Sequence, residues 1–203
     1  MDRYTGKNNE QNQHGTHGYF QISLTSLNKK PLLSTNNERA FIISQLQDLL
    51  SHRLLLDALP AHRQLASCID LIAFSITRGS VSLIIFSIDT SIAVYFINCL
   101  SARLSQYKSD TSPSRPTPSI DHQSIHTSIS RLRGPHHTLG QTIKIHLKHD
   151  DWEYDRYSSI GFYLHDRRGD WMRTWRIARL YNQDPKNCRR LIKDKQTLAL
   201  PSV

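Results

Sequence analysis

Two apolar runs joined by a short turn constrain the fold of this chain more than any other feature. Cys68–Thr77 and Ser80–Ile88 are rich in Ile, Leu and Phe with intervening serines, and Arg78-Gly79 separates them. Runs of this length and composition are typical of β-strands, and a two-residue connection that contains glycine is typical of a hairpin turn. We therefore predict two neighbouring strands that form a β-hairpin.

A strand and a helix are predicted before this hairpin. Tyr19–Thr25 alternates between apolar and polar residues, which is the pattern of a half-buried strand. Thr35 and Glu38 have the spacing of a capping box, in which two side chains satisfy the first free amides of a helix. The helix that follows is predicted over Asn37–Leu56, because its apolar residues recur at helical spacing.

A second helix is predicted after the hairpin. It begins after an N-cap at Asp89 or Thr90 and ends at about Tyr107. Its apolar residues again recur at helical spacing. The order strand, helix, strand, strand, helix indicates an α+β fold. It is most of a ferredoxin-like split βαββα unit, without an obvious last strand, and we expect a mainly helical C-terminal segment after it.

Changes in composition divide the chain into four segments. Residues 1–17 are polar and are predicted to be a disordered N-terminus, and residues 18–107 are predicted to be the ferredoxin-like α+β domain. Residues 108–127 are rich in Pro and Ser, so we predict an exposed linker there. Residues 128–203 are predicted to be a basic, Trp- and Arg-rich helical region.

Helices in this last region are predicted from their periodicity and caps. They cover His137–His149, Trp171–Tyr181 behind a cap at Asp170, and a last helix to about Lys195 that begins at Asp184-Pro185. For Tyr157–Leu164 the sequence leaves a short strand and a helix open.

The apolar stretch Val81–Cys99 is near the length of a membrane span, but three features argue against a span. Asp89 stands at its middle, where a charge is costly, its first half has the composition of a strand, and a turn precedes it. The N-terminus up to Gly18 lacks the apolar core of a signal peptide. The three cysteines lie far apart without a CxxC pair, which favours a reducing, cytoplasmic setting over a disulfide scaffold.

The charge of the chain favours a polyanionic partner. The net charge is +9, and residues 128–203 carry 15 Lys+Arg against 8 Asp+Glu, which leaves +7 in that region. Such a field attracts nucleic acid first and an anionic membrane surface second. The alternative is that the basic residues only keep the protein in solution.

The densest cluster of arginines and tryptophans lies between Trp152 and Tyr181. A guanidinium can pair with phosphate in a bidentate way, and an aromatic face can stack on a base. The arginines and tryptophans of the cluster are therefore predicted to bind nucleic acid: Arg167, Arg168, Arg173, Arg176, Arg179, Trp171 and Trp175. Two alternatives stay open, since the tryptophans can belong to a helical core, or the segment can dock another protein.

The sequence predicts no metal site and no cofactor. His146 and His149 stand one helical turn apart, but no third ligand accompanies them at a convincing spacing, so we interpret them as solvated histidines on a basic helix. The chain has no Gly-rich phosphate loop, no HExxH and no GxSxG. The catalytic residues, if there are any, are not assigned.

The order of elements around Leu71–Phe86, LIAFSITRGSVSLIIF, resembles that of the HUH-type tyrosine transposases. The closer group is the REP-associated, insertion-sequence-like transposases. The later part of that family has a Trp-Ser-Ser or Tyr-Ser-Ser element followed by helices, and Tyr157-Ser158-Ser159 stands in its place here. The resemblance covers residues 18–107 and 141–195 and implies a DNA-binding protein of transposase-like fold.

The chain departs from this family at the metal-binding histidines. In the family the third strand carries two histidines that flank one apolar residue, and the metal that they hold polarises the phosphate for attack by a helical tyrosine. The matching positions here are Ser80, Val81 and Ser82, and a serine hydroxyl is a poor substitute for imidazole. Tyr107 lies on the next helix, but the sequence does not assign it the role of the nucleophile.

Three classes of function follow from the sequence. The first is a DNA- or RNA-binding protein, with DNA favoured, that does not cleave strands. The second is a structural or regulatory protein-interaction module without catalysis, and the third is an active transposase or single-strand DNA endonuclease. We expect no membrane partner, and a homodimer is compatible with each class.

Overall fold

The centre of the protein is an antiparallel sheet of four strands in the order β2-β3-β1-β4. The strands are β1 (Gly18–Ser26), β2 (Ile69–Ile76), β3 (Ser80–Ser87) and β4 (Ile125–Leu132). The computed structural model describes residues 17–28, 30–51, 65–111, 125–148, 151–165, 167–181 and 184–199. The predicted disordered N-terminus lies outside these residues except for His17.

Seven α-helices accompany the sheet in the described part of the chain. Their bounds are α1 (Asn36–Leu50), α2 (Leu65–Cys68), α3 (Thr90–Thr111), α4 (Pro135–His146), α5 (Gly161–Leu164), α6 (Trp175–Ala178) and α7 (Pro185–Ala199). The fold is therefore α+β, as the sequence predicts. No helix of the described residues is long and apolar enough to cross a membrane, and the stretch Val81–Cys99 is divided between β3 and α3.

One face of the sheet packs against α1 and α3 and forms the main core. Alternate residues of each strand point to this face, as in Ile22 and Leu24 of β1 and Leu83 and Ile85 of β3, and all four are fully buried. Fully burying one such side chain contributes about 1.5–3 kcal/mol relative to an exposed one. Ile42 is one of the residues through which α1 covers this face.

The opposite face of the sheet is apolar at one side and polar at the other. Ala73 and Ile84 pack there against Ile145 of α4 and Ile177 of α6 in a second apolar cluster. The cross-strand row Ser75, Ser82, Ser23 and Ser128 runs over the same face from β2 to β4. This row becomes more accessible toward β4, because Ser75 and Ser82 are buried whereas Ser128 is exposed.

The region after β4 folds onto the first domain through the free edge of β2. The backbone amide of Ile76 donates to the carbonyl of Tyr157 at 2.9 Å, and that of Ser159 donates to the carbonyl of Phe74 at 2.9 Å. Farther along the same edge, the amide of Arg173 donates to the carbonyl of Leu71 at 2.7 Å. The Tyr157-Ser158-Ser159 element therefore closes one edge of the sheet.

The helix caps were predictable from local sequence. Glu38 and Thr35 form the capping box, with the Thr35 hydroxyl 3.2 Å from the amide of Glu38 and the Glu38 carboxylate 2.9 Å from the amide of Thr35. The Asp89 carboxylate accepts from the amide of Ser91 at 2.6 Å where α3 begins. Helix α1 is observed to Leu50, and the predicted continuation to Leu56 falls outside the described residues after Ser51.

Strand β4 was not predicted. It contains the last residues of the predicted linker, 125–127, and the first residues of the predicted helical region, 128–132, while residues 108–111 of that linker belong to α3. The Pro-rich composition before β4 concealed it, and residues 112–124 lie outside the described part. The strand forms because Ile129 pairs with Ile22 and extends the main core.

The predicted helix over Trp171–Tyr181 is wrong in its first half. Met172 forms a bridge with Leu71 at the edge of β2, so helical structure begins only at Trp175 and continues as a 3-10 turn over Arg179–Tyr181. Pairing with the sheet overrides the local helical periodicity here. The last helix begins at Pro185 as predicted, and the Asp184 carboxylate accepts from the amide of Lys186 at 2.8 Å.

We expect Ser159→Ala to lower the free energy of unfolding by about 1–3 kcal/mol. The buried Ser159 hydroxyl accepts from the amide of Phe74 at 2.9 Å and lies 2.8 Å from Nε2 of the buried His146, so its loss leaves several buried polar groups with one partner fewer. Urea denaturation measures the change. Ser128→Ala on the exposed side of β4 is the matched control, and equal midpoints for the two variants would contradict the role of Ser159.

Candidate nucleic-acid interface

Trp171 is a core residue and does not lie where a base can stack. Its side chain is 6% exposed, and its ring stacks on Phe74 at 5.6 Å between ring centroids and meets Phe162 edge to face at 5.5 Å. Trp152 is buried to the same extent in a smaller cluster. The prediction that Trp171 stacks on nucleic acid is therefore wrong, and the alternative of a tryptophan core holds for this residue.

Arg173 and Arg176 are paired with a carboxylate of the sheet. Asp70 on β2 accepts from Nε of Arg176 at 2.5 Å and lies 3.7 Å from Nε of Arg173. The three side chains are between 20% and 23% exposed. The single carboxylate offsets one of the two positive charges, and both guanidinium groups are largely buried, so a phosphate contact by each of these arginines is no longer the expectation.

Trp175 is the accessible tryptophan of the predicted set. Its side chain is 56% exposed, and the guanidinium of the next residue, Arg176, lies 5.0 Å from its ring centroid. The same guanidinium lies 3.6 Å from the ring centroid of Phe86 at the end of β3. Asp70 fixes the Arg176 guanidinium, which lies close to both rings. Trp175 is therefore held beside the end of the sheet at which Phe86 lies.

The other three predicted arginines are exposed. The Arg167 guanidinium lies 5.6 Å from the ring of Phe162 and donates to the carbonyl of Ser158 at 3.4 Å. Arg168 and Arg179 also lie at the surface. The seven predicted residues therefore divide into one core residue, two arginines in an internal ion pair, and four exposed side chains.

A cleft of about 550 Å³ opens beside Phe86, where β1 begins and β3 and β4 end. Its lining residues are His17, Gly18, Tyr19, Phe86, Arg131, Leu132, Arg133 and Gly134. The ring of Phe86 meets that of Tyr19 edge to face at 5.3 Å, and the His17 ring lies 6.1 Å away. One wall of the cleft is thus aromatic.

The basic wall of the cleft comes from the end of β4, where Arg131 lies in the cross-strand row of Phe20 and Ile85, on the face of the sheet opposite to the rings of Tyr19 and Phe86. Arg131 and Arg133 are both exposed, and no carboxylate is present among the described residues that line the cleft. The Arg131 guanidinium donates to the carbonyl of His17 at 3.2 Å, which holds it across the mouth of β1. Sequence reasoning missed this site because β4 was not predicted, although the cluster RLRGPHH, residues 131–137, was a visible signal.

The side chain of Lys148 contacts β3 at Ser82, one of the two positions that the sequence analysis matched with histidines. Nζ of Lys148 donates to the Ser82 hydroxyl at 2.7 Å, and burial lowers the pKa of Lys148. The Ser80 hydroxyl lies 3.2 Å from that of Thr77 in the hairpin turn. No group of three or more His, Cys, Asp or Glu residues within the described ranges is arranged to hold a metal.

His146 is not a solvated histidine, which corrects the sequence-based interpretation. Its side chain is fully buried, Nε2 lies 2.8 Å from the Ser159 hydroxyl, and the ring meets Tyr163 edge to face. His146 therefore helps to hold the C-terminal region against β2 through its contact with Ser159. His149 lies outside the described residues.

Comparison with known proteins gives no match for this chain, whether with family models, curated proteins or solved structures.

We expect Asp70→Asn to lower the free energy of unfolding by about 2 kcal/mol, because two largely buried guanidinium groups lose their shared counter-charge. Urea denaturation measures the change. Asp48→Asn is the control, since Asp48 pairs with Arg103 on the surface with 65% of its side chain exposed and should cost less than about 1 kcal/mol. A loss at Asp70 no larger than that at Asp48 would contradict the structural role of the pair.

Lys148 makes stability depend on pH in the alkaline range. Its pKa is lowered from the usual 10.5 by burial, so the folded chain binds fewer protons than the unfolded chain between the lowered pKa and 10.5. Stability contributed at this position therefore rises as the pH rises through that window. We therefore expect the free energy of unfolding of the wild type to rise relative to that of Lys148→Met as the pH is raised from neutral to 10.5.

Urea denaturation of both proteins across this range checks the prediction. The pKa of Lys108 is lowered in the same direction, but Lys108 is present in both proteins and cancels in the difference. A difference in the free energy of unfolding that is constant with pH would contradict the lowered pKa of Lys148.

Proposed function

We propose that this chain is a nucleic-acid-binding protein, with DNA favoured, which binds at the end of the sheet around Phe86. The observation that carries the proposal is the convergence of exposed Trp175 with a cleft that has one aromatic and one basic wall. Arginines supply phosphate contacts, and exposed aromatic rings supply stacking platforms for bases. The net charge of +9 attracts the polyanion to the surface.

We further propose that the fold is of the ferredoxin-like, split βαβ type. The central elements follow the order β1, α1, β2, β3, α3, β4, and the sheet order is β2-β3-β1-β4 with every neighbouring pair antiparallel. The short helix α2 directly precedes β2 and does not alter this order. Strand β4 supplies the last strand, for which the sequence offered no obvious candidate.

We also propose that the protein binds nucleic acid without cleaving it. The Lys148 ammonium group bonded to Ser82 would repel a divalent metal at the position of the family's histidines. Tyr107 stacks on Phe41 at 4.1 Å on the face of the sheet that α1 and α3 cover, whereas Ser82 points to the opposite face. Both observations support a binding role without the nuclease chemistry.

The direct test is fluorescence anisotropy with a hairpin-bearing single-stranded DNA, a duplex DNA and an RNA across a salt series. The proposal predicts that affinity for at least one of them falls steeply with salt, because phosphate contacts release counterions. Absence of measurable binding at physiological salt would overturn the proposal and favour the protein-interaction module. An oligonucleotide cleaved in magnesium or manganese would overturn only the non-catalytic part.

We expect Trp175→Ala to weaken oligonucleotide binding by about 1–3 kcal/mol, which is the usual contribution of one base–aromatic stack. Tyr154→Ala is the matched control, because Tyr154 is an equally accessible aromatic residue, 69% exposed, that packs on His165 rather than on the residues of the cleft. Oligonucleotide should also quench the emission of wild type more than that of the Trp175 variant. Equal losses of affinity for the two variants would remove Trp175 from the interface.

A further inference from the structure

We infer that the cleft where β1 begins and β3 and β4 end binds a single nucleotide unit, with its phosphate at Arg131 and Arg133 and its base against the aromatic wall. The inference rests on the proposed function and names the chemistry of the ligand that this part of the surface takes. The cleft volume of about 550 Å³ lies inside the range of small-ligand pockets, roughly 300–1,000 Å³. A base in a duplex is stacked on both sides, so the ligand is an unstacked nucleotide.

The basic wall is suited to a phosphate. Arg131 and Arg133 have no carboxylate partner in the part of the chain that the structure describes, unlike Arg173 and Arg176 at Asp70. Their guanidinium groups therefore keep the full charge with which to bind an anion. A phosphate oxygen pair matches the fork of an arginine and forms two parallel hydrogen bonds with it.

Gly18 makes room for this basic wall. A Cβ atom at position 18 would lie 3.1 Å from Nε of Arg131 and 3.5 Å from Nη2, so the missing side chain leaves space for the guanidinium against the β1 backbone. The guanidinium that lies against Gly18 also donates a hydrogen bond to the carbonyl of the preceding residue, His17. The exposed Arg131 guanidinium is thus held at the start of β1, on the rim of the cleft.

The aromatic wall is held in place before any ligand arrives. The ring of Phe86 is fixed by the Tyr19 ring at 5.3 Å and by the Arg176 guanidinium at 3.6 Å, which Asp70 in turn holds. Tyr19 and Phe86 are half-buried, and His17 is exposed at the rim. A wall of this kind loses little conformational entropy when a base packs on it.

The experiment titrates full-length protein with deoxyadenosine monophosphate, deoxyadenosine and inorganic phosphate, with affinities measured by ligand-observed NMR. We expect the monophosphate to bind at least tenfold more tightly than either fragment, since only it reaches both walls. The double variant Arg131→Ala/Arg133→Ala should lose at least tenfold in affinity for the monophosphate. Gly18→Ala requires the Arg131 guanidinium to shift by a few tenths of an ångström, so we expect a loss smaller than that of the double variant.

The charge-matched control is Arg78→Ala/Arg190→Ala, which removes two exposed arginines that neither line the cleft nor belong to the predicted binding set. We expect less than a twofold change for it. Equal losses in the two double variants, or no loss at Arg131 and Arg133, would overturn the inference. Circular dichroism and the urea midpoint verify that each variant is folded.

Oligonucleotide binding separates this inference from the proposed function. If the Arg131/Arg133 variant binds both oligonucleotide and monophosphate like wild type, the inference fails and the basic residues of the cleft leave the proposed interface, while nucleic-acid binding by the protein stands. If wild type binds no oligonucleotide, the proposed function fails. Competition identifies the source of the ligand. If the monophosphate displaces the oligonucleotide, it occupies the place of a nucleotide in a strand. If it binds without displacing the oligonucleotide, the cleft takes a free nucleotide.

Discussion

The attachment of the C-terminal region to the edge of β2 is the interaction on which the rest of the molecule depends. That edge is closed by backbone hydrogen bonds in which the Ile76 amide donates to the segment around Ser159, and the carbonyls of Phe74 and Leu71 accept from the amides of Ser159 and Arg173. A free strand edge would otherwise expose unpaired amides and carbonyls to other chains. The same attachment brings α4 and α6 over the second face of the sheet, so that one region both completes the core and supplies part of the candidate interface.

Asp70 divides the basic segment into a structural part and an accessible part. It holds Arg173 and Arg176 within the protein, and through Arg176 it orders the ring of Phe86. Trp175, next in the chain to Arg176, is left exposed. Arg131 and Arg133, which come from β4 and the loop after it, lie exposed at this end of the described part of the chain. A dense run of arginines in the sequence therefore does not by itself locate the candidate site.

The elements whose signal is local were predictable, and those that depend on distant pairing were not. Apolar runs with a short turn specify the β2–β3 hairpin, and the capping box at Thr35 specifies the start of α1. Strand β4 has few apolar residues and forms because it pairs with β1. The stretch that begins at Trp171 is not helical because Met172 pairs with Leu71. Of the candidate site, Trp175 was predicted, but the cleft depends on β4 and therefore could not be.

We propose that nucleic acid binds where β1 begins and β3 and β4 end. Ultraviolet cross-linking of the full chain to a single-stranded oligonucleotide, followed by mapping of the modified peptides, tests this location. Binding there should give adducts in the peptides that contain Tyr19, Phe86 and Trp175, and these adducts should be lost in the Arg131→Ala/Arg133→Ala variant. Adducts confined to Tyr154 or Tyr95, two exposed aromatic residues outside the lining of the cleft, would contradict it.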